Sequence, residues 1–353
     1  MALMLHRCVC HGWPVPIVSR VAWLGRLSRI RAASCRYDIW TGRNANAMPN
    51  VRCYSLAKSV VESAPARWRP YLRLMRADKP AGTWLLFWPG AWSIALAAGP
   101  GQLPDVYLVC LFGAGAFLMR SAGCVINDIY DKDFDKKVAR TQSRPLASGE
   151  LSTWQALQLL SGLLGVSLCI LLQLNWYSVA LGAASLIPVA TYPLFKRFTY
   201  WPQVMLGLTI NWGCLLGWPA VKGSLDAAAV LPLYLATINW TVIYDTIYAH
   251  QDKPDDIIIG VKSTAIRFGD HTKYWLSGFG ALMITSLLVS GYNVGLAWPY
   301  YVGVGATAGQ IAWQVLTTNF NKADDCWRKF VSNRYLGLLI FVSITLGNYC
   351  ICK

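Results

Sequence analysis

Three observations predict an all-α, polytopic membrane protein with nine transmembrane helices. Of 353 residues, 55% are hydrophobic and only 14% are charged, against about 25% charged in an ordinary soluble domain. Nine apolar windows of membrane-crossing length follow one another from residue 83 onward, and about 20 apolar residues suffice to cross a bilayer. The basic residues fall on alternate connections between those windows, as the positive-inside rule requires. Inside lipid a lone segment satisfies its own backbone only as a helix. Mean hydropathy of +0.37 agrees.

The first sixty residues stand apart. They hold nine Lys and Arg against one acid, Asp38, and so supply +8 of the net +15. An arginine-rich, acid-poor stretch with Ser and Ala around Arg31 and Arg36 reads as a mitochondrial transit peptide or disordered arm over 1–60. A secretory signal needs an unbroken apolar core, and Arg20, Arg26, Arg29 and Arg31 interrupt every candidate. The membrane domain is then 61–353. Eleven cysteines without any CxxC pair signal neither a disulfide framework nor a zinc site, and buried thiols are the expectation.

The spans are expected near 83–98, 106–126, 154–174, 177–195, 201–221, 228–248, 274–292, 297–315 and 335–352. Prolines at 89, 188, 219 and 232 fall inside them, tolerable where neighbouring helices cover the freed backbone. Nine crossings put the arm and the even connections on one side. That side collects 21 Lys and Arg, and the opposite side only Lys222 and Lys353. The lipid bilayer is thus the first partner, the basic side is expected to face the mitochondrial matrix from the inner membrane, and the +15 charge needs no nucleic acid.

Two acidic connections lie on that basic side, after the second and sixth spans. The first reads Asn127-Asp128-x-x-Asp131-x-Asp133-x-Asp135. On a helix Asn127, Asp131 and Asp135 share one face, while Asp133 lies about 200° round from Asp131. Stacked carboxylates repel one another, so a cation is needed. Hard oxygen donors without His or Cys suit Mg²⁺, which keeps phosphate oxygens in its shell. A solvated loop with adventitious acids is the competing reading of one such cluster. The second connection weighs against it: Tyr244-Asp245-x-x-Tyr248-x-His250-x-Asp252-x-Pro254-Asp255-Asp256, with Asp252 and Asp256 again four apart and Asp245 at a costly depth. Pro254 should end any helix leaving the sixth span and let Asp252 cap a short new one. His250, without a second His beside it, is expected at the surface. Arg140, Arg144, Arg197 and Lys262 nearby are cations of the kind that hold a diphosphate. Each is also explained as a positive-inside charge, with Arg144 and Arg197 the strongest exceptions.

At this point the residues resemble a known family. Asn127-Asp128-x-x-Asp131-x-x-x-Asp135 followed by Arg140-Thr141-x-x-Arg144-Pro145-Leu146 is similar to the signature of the UbiA superfamily of intramembrane prenyltransferases. Arg76-Ala-Asp78-Lys79-Pro80, Trp88-Pro89, the second acidic run and Lys262-Ser263-Thr264-Ala265 narrow the resemblance to the mitochondrial branch that prenylates 4-hydroxybenzoate for ubiquinone synthesis. Pro254 departs from the pattern.

The resemblance implies a nine-helix UbiA-type bundle around a central cavity, capped by the two Asp-rich connections. It implies Mg²⁺ as cofactor, a polyprenyl diphosphate and 4-hydroxybenzoate as substrates, and other ubiquinone-synthesis proteins as partners. By motif position, Asn127, Asp131 and Asp135 serve one metal and Asp252 and Asp256 a second, with Arg144, Arg197 and Lys262 on the diphosphate. Arg76, Asp128, Arg140, Tyr248 and Asp255 are supporting candidates. Prenylation ortho to a phenol is easiest from the phenolate, so Asp252 is the candidate base, with metal ligation alone as its alternative. A cation-coupled transporter would place its acids near the midplane of several spans, unlike these two clusters at one end.

Overall fold

Helix starts along the chain follow capping chemistry. A computed structural model describes residues 56–136, 141–253, 256–257 and 262–352. Two short helices, α1 (Leu56–Ser63) and α2 (Arg69–Leu74), precede α3 (Ala81–Ala97). Asp105 then caps α4 (Val106–Tyr130) by accepting from the amides of Tyr107 and Leu108, and α5 (Lys132–Asp135) continues its line. Ser152 and Gln155 form a capping box at the start of α6 (Thr153–Leu171). Asn175 caps α7 (Trp176–Ala184), which is followed by α8 (Leu186–Phe198), α9 (Pro202–Ile210) and α10 (Trp212–Lys222). Asp226 caps α11 (Ala227–Ala249), and Ser263 caps α12 (Thr264–Phe268). Three long helices close the chain: α13 (Thr272–Val294), α14 (Trp298–Thr317) and α15 (Ala323–Tyr349).

The fold is all-α, as the composition predicts, and no strand occurs among the described residues. Among the described residues six helical segments are long and apolar enough to cross a membrane. The windows at 83–98, 177–195 and 297–315 are also helical but fall outside that set. Two expected spans are broken. The one at 177–195 splits at Ser185 between α7 and α8, just before Pro188, which lacks the amide a continuous helix needs. The one at 201–221 breaks at Asn211, whose buried amide donates to the Gly207 and Thr237 carbonyls and to Thr241 Oγ1. In place of a solvated break, α11 supplies two of these acceptors.

The long helices carry apolar residues on both inner and outer faces. Leu164, Leu168, Leu235, Leu282, Val302 and Leu338 are exposed, which suits lipid around the bundle. The thiols differ from expectation: Cys124, Cys214 and Cys326 are buried, but Cys110 and Cys169 lie on the outer surface, where a thiol is as compatible with lipid as with a core.

Inside, Trp92 and Trp240 are fully buried with ring centroids 5.0 Å apart. Their indole N–H groups donate to the Gly337 carbonyl and to Asn333 Oδ1, both at 2.8 Å, so neither aromatic carries an unpaired donor. These bonds tie α3 and α11 to α15. Asn348 Nδ2 adds bonds to the carbonyls of Ala95 and Ala98, clasping the end of the chain to the end of the first long helix.

Helices α3 and α10 approach closely. A Cβ on Gly217 would sit 2.6 Å from the Gly90 carbonyl oxygen and 2.8 Å from Ser93 Cβ, so the small residues let two backbones touch. Gly217→Ala is expected to cost about 1–3 kcal/mol through overpacking, read as a lower thermal midpoint in detergent. An unchanged midpoint would mean that the pair separates freely.

Candidate functional site

The first acidic run is set by continuation of α4 past the expected end at 126. Asn127 and Asp128 occupy its last turn, and Asp131 is its C-cap. The amide of Asp131 bonds the Asn127 carbonyl at 2.9 Å, and that of Asp135 the Asp131 carbonyl at 2.8 Å. Helical spacing therefore persists through α5, and Asn127 Nδ2 donates to Asp131 Oδ2 at 2.9 Å. Asp133 points to water, 86% exposed, beside Lys136.

Asp128, only 1% exposed, turns the other way. Its two oxygens accept from Arg76 Nη2 at 2.8 and 3.1 Å, and Oδ1 accepts from Arg144 Nη1 at 3.1 Å. The same Arg144 nitrogen donates to Asp135 Oδ2 at 2.8 Å. One chain of charge thus runs Arg76, Asp128, Arg144, Asp135. The loop carrying Arg144 is held by Thr141, whose hydroxyl donates to the Asp135 carbonyl. It is also held by Leu146, buried in a small cluster with Leu74, Val125 and Leu163.

The second run follows α11. The helix ends at Ala249, and the Asp256 amide bonds the Asp252 carbonyl at 2.9 Å, while Pro254 lies outside the described residues. Asp245, Asp252 and Asp256 are half-buried. Tyr248 packs on Phe330 with centroids 4.9 Å apart. Lys262 Nζ donates to the Phe198 carbonyl and sits over the Tyr200 ring at 5.3 Å. It therefore meets the end of α8, the helix whose last turn carries Arg197. Thr264 anchors this run, its amide donating to Gln203 Oε1 and its hydroxyl meeting Thr246 Oγ1 at 2.6 Å. Arg140 and Asp255 lie outside the described residues, as does the side chain of Arg197.

His250 corrects the surface expectation. It is buried, packed on Phe320 at 4.5 Å, with Nε2 3.2 Å from Thr272 Oγ1. Burial, assisted by Lys253, lowers its pKa to about 4, so it is neutral near pH 7. A cleft of about 700 Å³ opens beside it, between Gln251, Lys253, Asp270, Lys273 and Asn319.

Sequence reasoning gave Arg120 no role. It is half-buried in α4, two turns before Asn127 on the same face, and a Cβ on Gly82 would lie 2.4 Å from its Nε. The signal available was an arginine inside an apolar window.

Among the described residues no three His, Cys, Asp or Glu side chains converge on one point. The donors still suit Mg²⁺, which commonly takes one or two carboxylates and completes its shell with water and substrate phosphate. Asn127, Asp131 and Asp135 offer oxygen donors alone on one helical line, beside arginines suited to phosphate.

Comparison with known proteins fits this arrangement. Residues 86–343 match the model of the UbiA prenyltransferase family. The chain is 61% identical over 288 residues to 4-hydroxybenzoate polyprenyltransferase, mitochondrial, of Caenorhabditis elegans, covering 82% of this chain and 81% of that one. It is 55% identical over 328 residues to the protein of the same name from Homo sapiens, covering 92% and 88%. The apo structure of a UbiA homolog from Aeropyrum pernix K1 superposes with a TM-score of 0.62 at 24% identity, covering 74% of this chain and 96% of that one. With a family model spanning most of the chain and relatives this similar over most of their length, the chain belongs to the UbiA prenyltransferase family.

Proposed function

We propose that this chain transfers a polyprenyl group from a polyprenyl diphosphate to C3 of 4-hydroxybenzoate, with Mg²⁺, in ubiquinone synthesis. The observation that carries the reading is an oxygen-donor line, Asn127 to Asp135, joined to Arg144 and Arg76 at one end of an apolar bundle. Relatives 55–61% identical bear the name of that activity, and a UbiA homolog from Archaeoglobus fulgidus was solved with GPP and Mg²⁺.

Each step falls to a group of suitable chemistry. Arg144, with Arg197 and Lys262, holds the diphosphate, guanidinium forks matching phosphate oxygens. Asn127, Asp131 and Asp135, and Asp252 with Asp256, would hold Mg²⁺, which supplies neutralisation of the charge growing on the leaving diphosphate. The apolar helices keep water from the allylic cation. Asp252 takes the phenolic proton, because a free phenol has a pKa near 10 and its anion is the better nucleophile.

Reconstitution in liposomes with donors of graded length and 4-hydroxybenzoate tests the reading, with the 3-polyprenyl acid as expected product. Prenylation of a haem or a quinone precursor instead would move the chain to another branch of the family.

The 21-to-2 charge split expected for nine spans supports a site on the matrix side of the inner membrane. Cysteines replacing the exposed Asp133 and Asp270 should react with an impermeant reagent in mitoplasts only after the inner membrane is permeabilised. Labelling of intact mitoplasts would reverse the orientation.

A further inference from the structure

Arg76 is the one non-glycine residue with a positive φ, +56°, among the described residues. It follows Met75, the C-cap of α2. The Arg76 amide bonds the Arg73 carbonyl and the Ala77 amide bonds the Leu72 carbonyl, both at 3.0 Å. That pair of bonds is the Schellman ending, in which the left-handed position normally falls to glycine. An arginine there carries a backbone cost that only its side chain can offset, and a strained position of this kind points toward function.

The side chain forks both oxygens of Asp128, 52 residues away. Asp128 is fully buried, and Arg144 takes a further share of Oδ1. A carboxylate whose two oxygens are already taken by two guanidinium groups is badly placed to ligate a metal. Arg144 also reaches from Asp128 to Asp135 on the donor line, so the four groups balance in charge and both guanidinium groups are held beside that line. Arg73 adds an ion pair to Glu150, beyond the Arg144 loop, so the α2 segment is tied both to α4 and to the chain that follows that loop.

We propose that Asp128 is a positioning residue which takes no metal. It fixes Arg76 and Arg144 as a preformed pair of cations for the diphosphate, and the left-handed turn at Arg76 exists to deliver that guanidinium. The inference rests on the diphosphate reading of this site but not on which aromatic ring accepts the prenyl group.

Inorganic diphosphate and Mn²⁺ serve as probes on the purified full chain, with diphosphate affinity measured by calorimetry and Mn²⁺ by EPR. Asp128→Asn should keep the wild-type affinity for Mn²⁺ alone, while diphosphate affinity falls by about tenfold or more, the loss expected for charge-assisted hydrogen bonds. Arg76→Gly suits the left-handed backbone but leaves buried Asp128 with one guanidinium, so its thermal midpoint should fall while diphosphate affinity falls by a similar factor. The double variant should lose no more than Asp128→Asn, because one interaction is being removed twice. Loss of Mn²⁺ in Asp128→Asn as deep as in Asp131→Asn would overturn the proposal, as would full diphosphate affinity in Arg76→Gly. If Asp131→Asn keeps its Mn²⁺ while Arg76→Gly loses diphosphate, the metal assignment fails and the positioning role stands.

Discussion

Asp131→Ala and Asp135→Ala are each expected to slow prenyl transfer by at least about a hundredfold, the usual cost of removing a group that stabilises developing charge. Asp133→Ala, between them, should leave the rate nearly unchanged. The contrast follows from geometry. Backbone bonds four residues apart keep Asn127, Asp131 and Asp135 in line, while the Asp133 side chain is 86% exposed and pairs with Lys136. Asp135 has a second task, because Arg144 bridges it to Asp128. Its removal should therefore raise the KM for the diphosphate substrate as well as lower kcat, whereas Asp131→Ala should act chiefly on kcat. Steady-state rates in liposomes with saturating acceptor measure both. An Asp133 as sensitive as its neighbours would refute the one-face arrangement.

Excess chelator is expected to abolish transfer, and added Mg²⁺ to restore it. A diphosphate leaves with charge that Arg144, Arg197 and Lys262 cannot balance while arginines are already engaged with Asp128 and Asp135. Full activity in chelator would rule out the metal. The same titration separates the two roles of Asp252. Asp252→Asn keeps an oxygen donor but accepts no proton, so recovery at high Mg²⁺ marks a ligand alone. A rate that stays low at any Mg²⁺, and improves with a more acidic phenol, marks the base.

The membrane-domain helices were legible because hydropathy is a local property of a chain in lipid. Asp105, Ser152 and Asp226 cap three of the helices through bonds to amides two or three residues on, contacts as local as the hydropathy. The splits at Ser185 and Asn211 were not legible. An apolar window reports transfer into lipid, not whether a neighbouring helix will accept the hydrogen bonds that a break releases, as α11 does for Asn211.

For the site, the amino-acid sequence alone determined the helical line Asn127, Asp131, Asp135 and the outward turn of Asp133, since a period of 3.6 residues sets direction without help from other segments. The expectation of a new turn at Pro254 falls on residues outside those described. Only the tertiary structure decided that Asp128 lies buried between Arg76 and Arg144, that His250 is packed on Phe320, and that Lys262 meets the end of α8. Each of these depends on a partner between 16 and 70 residues away. Periodicity gives the direction in which a side chain leaves its helix, but the partner it meets there is brought by the packing of the bundle.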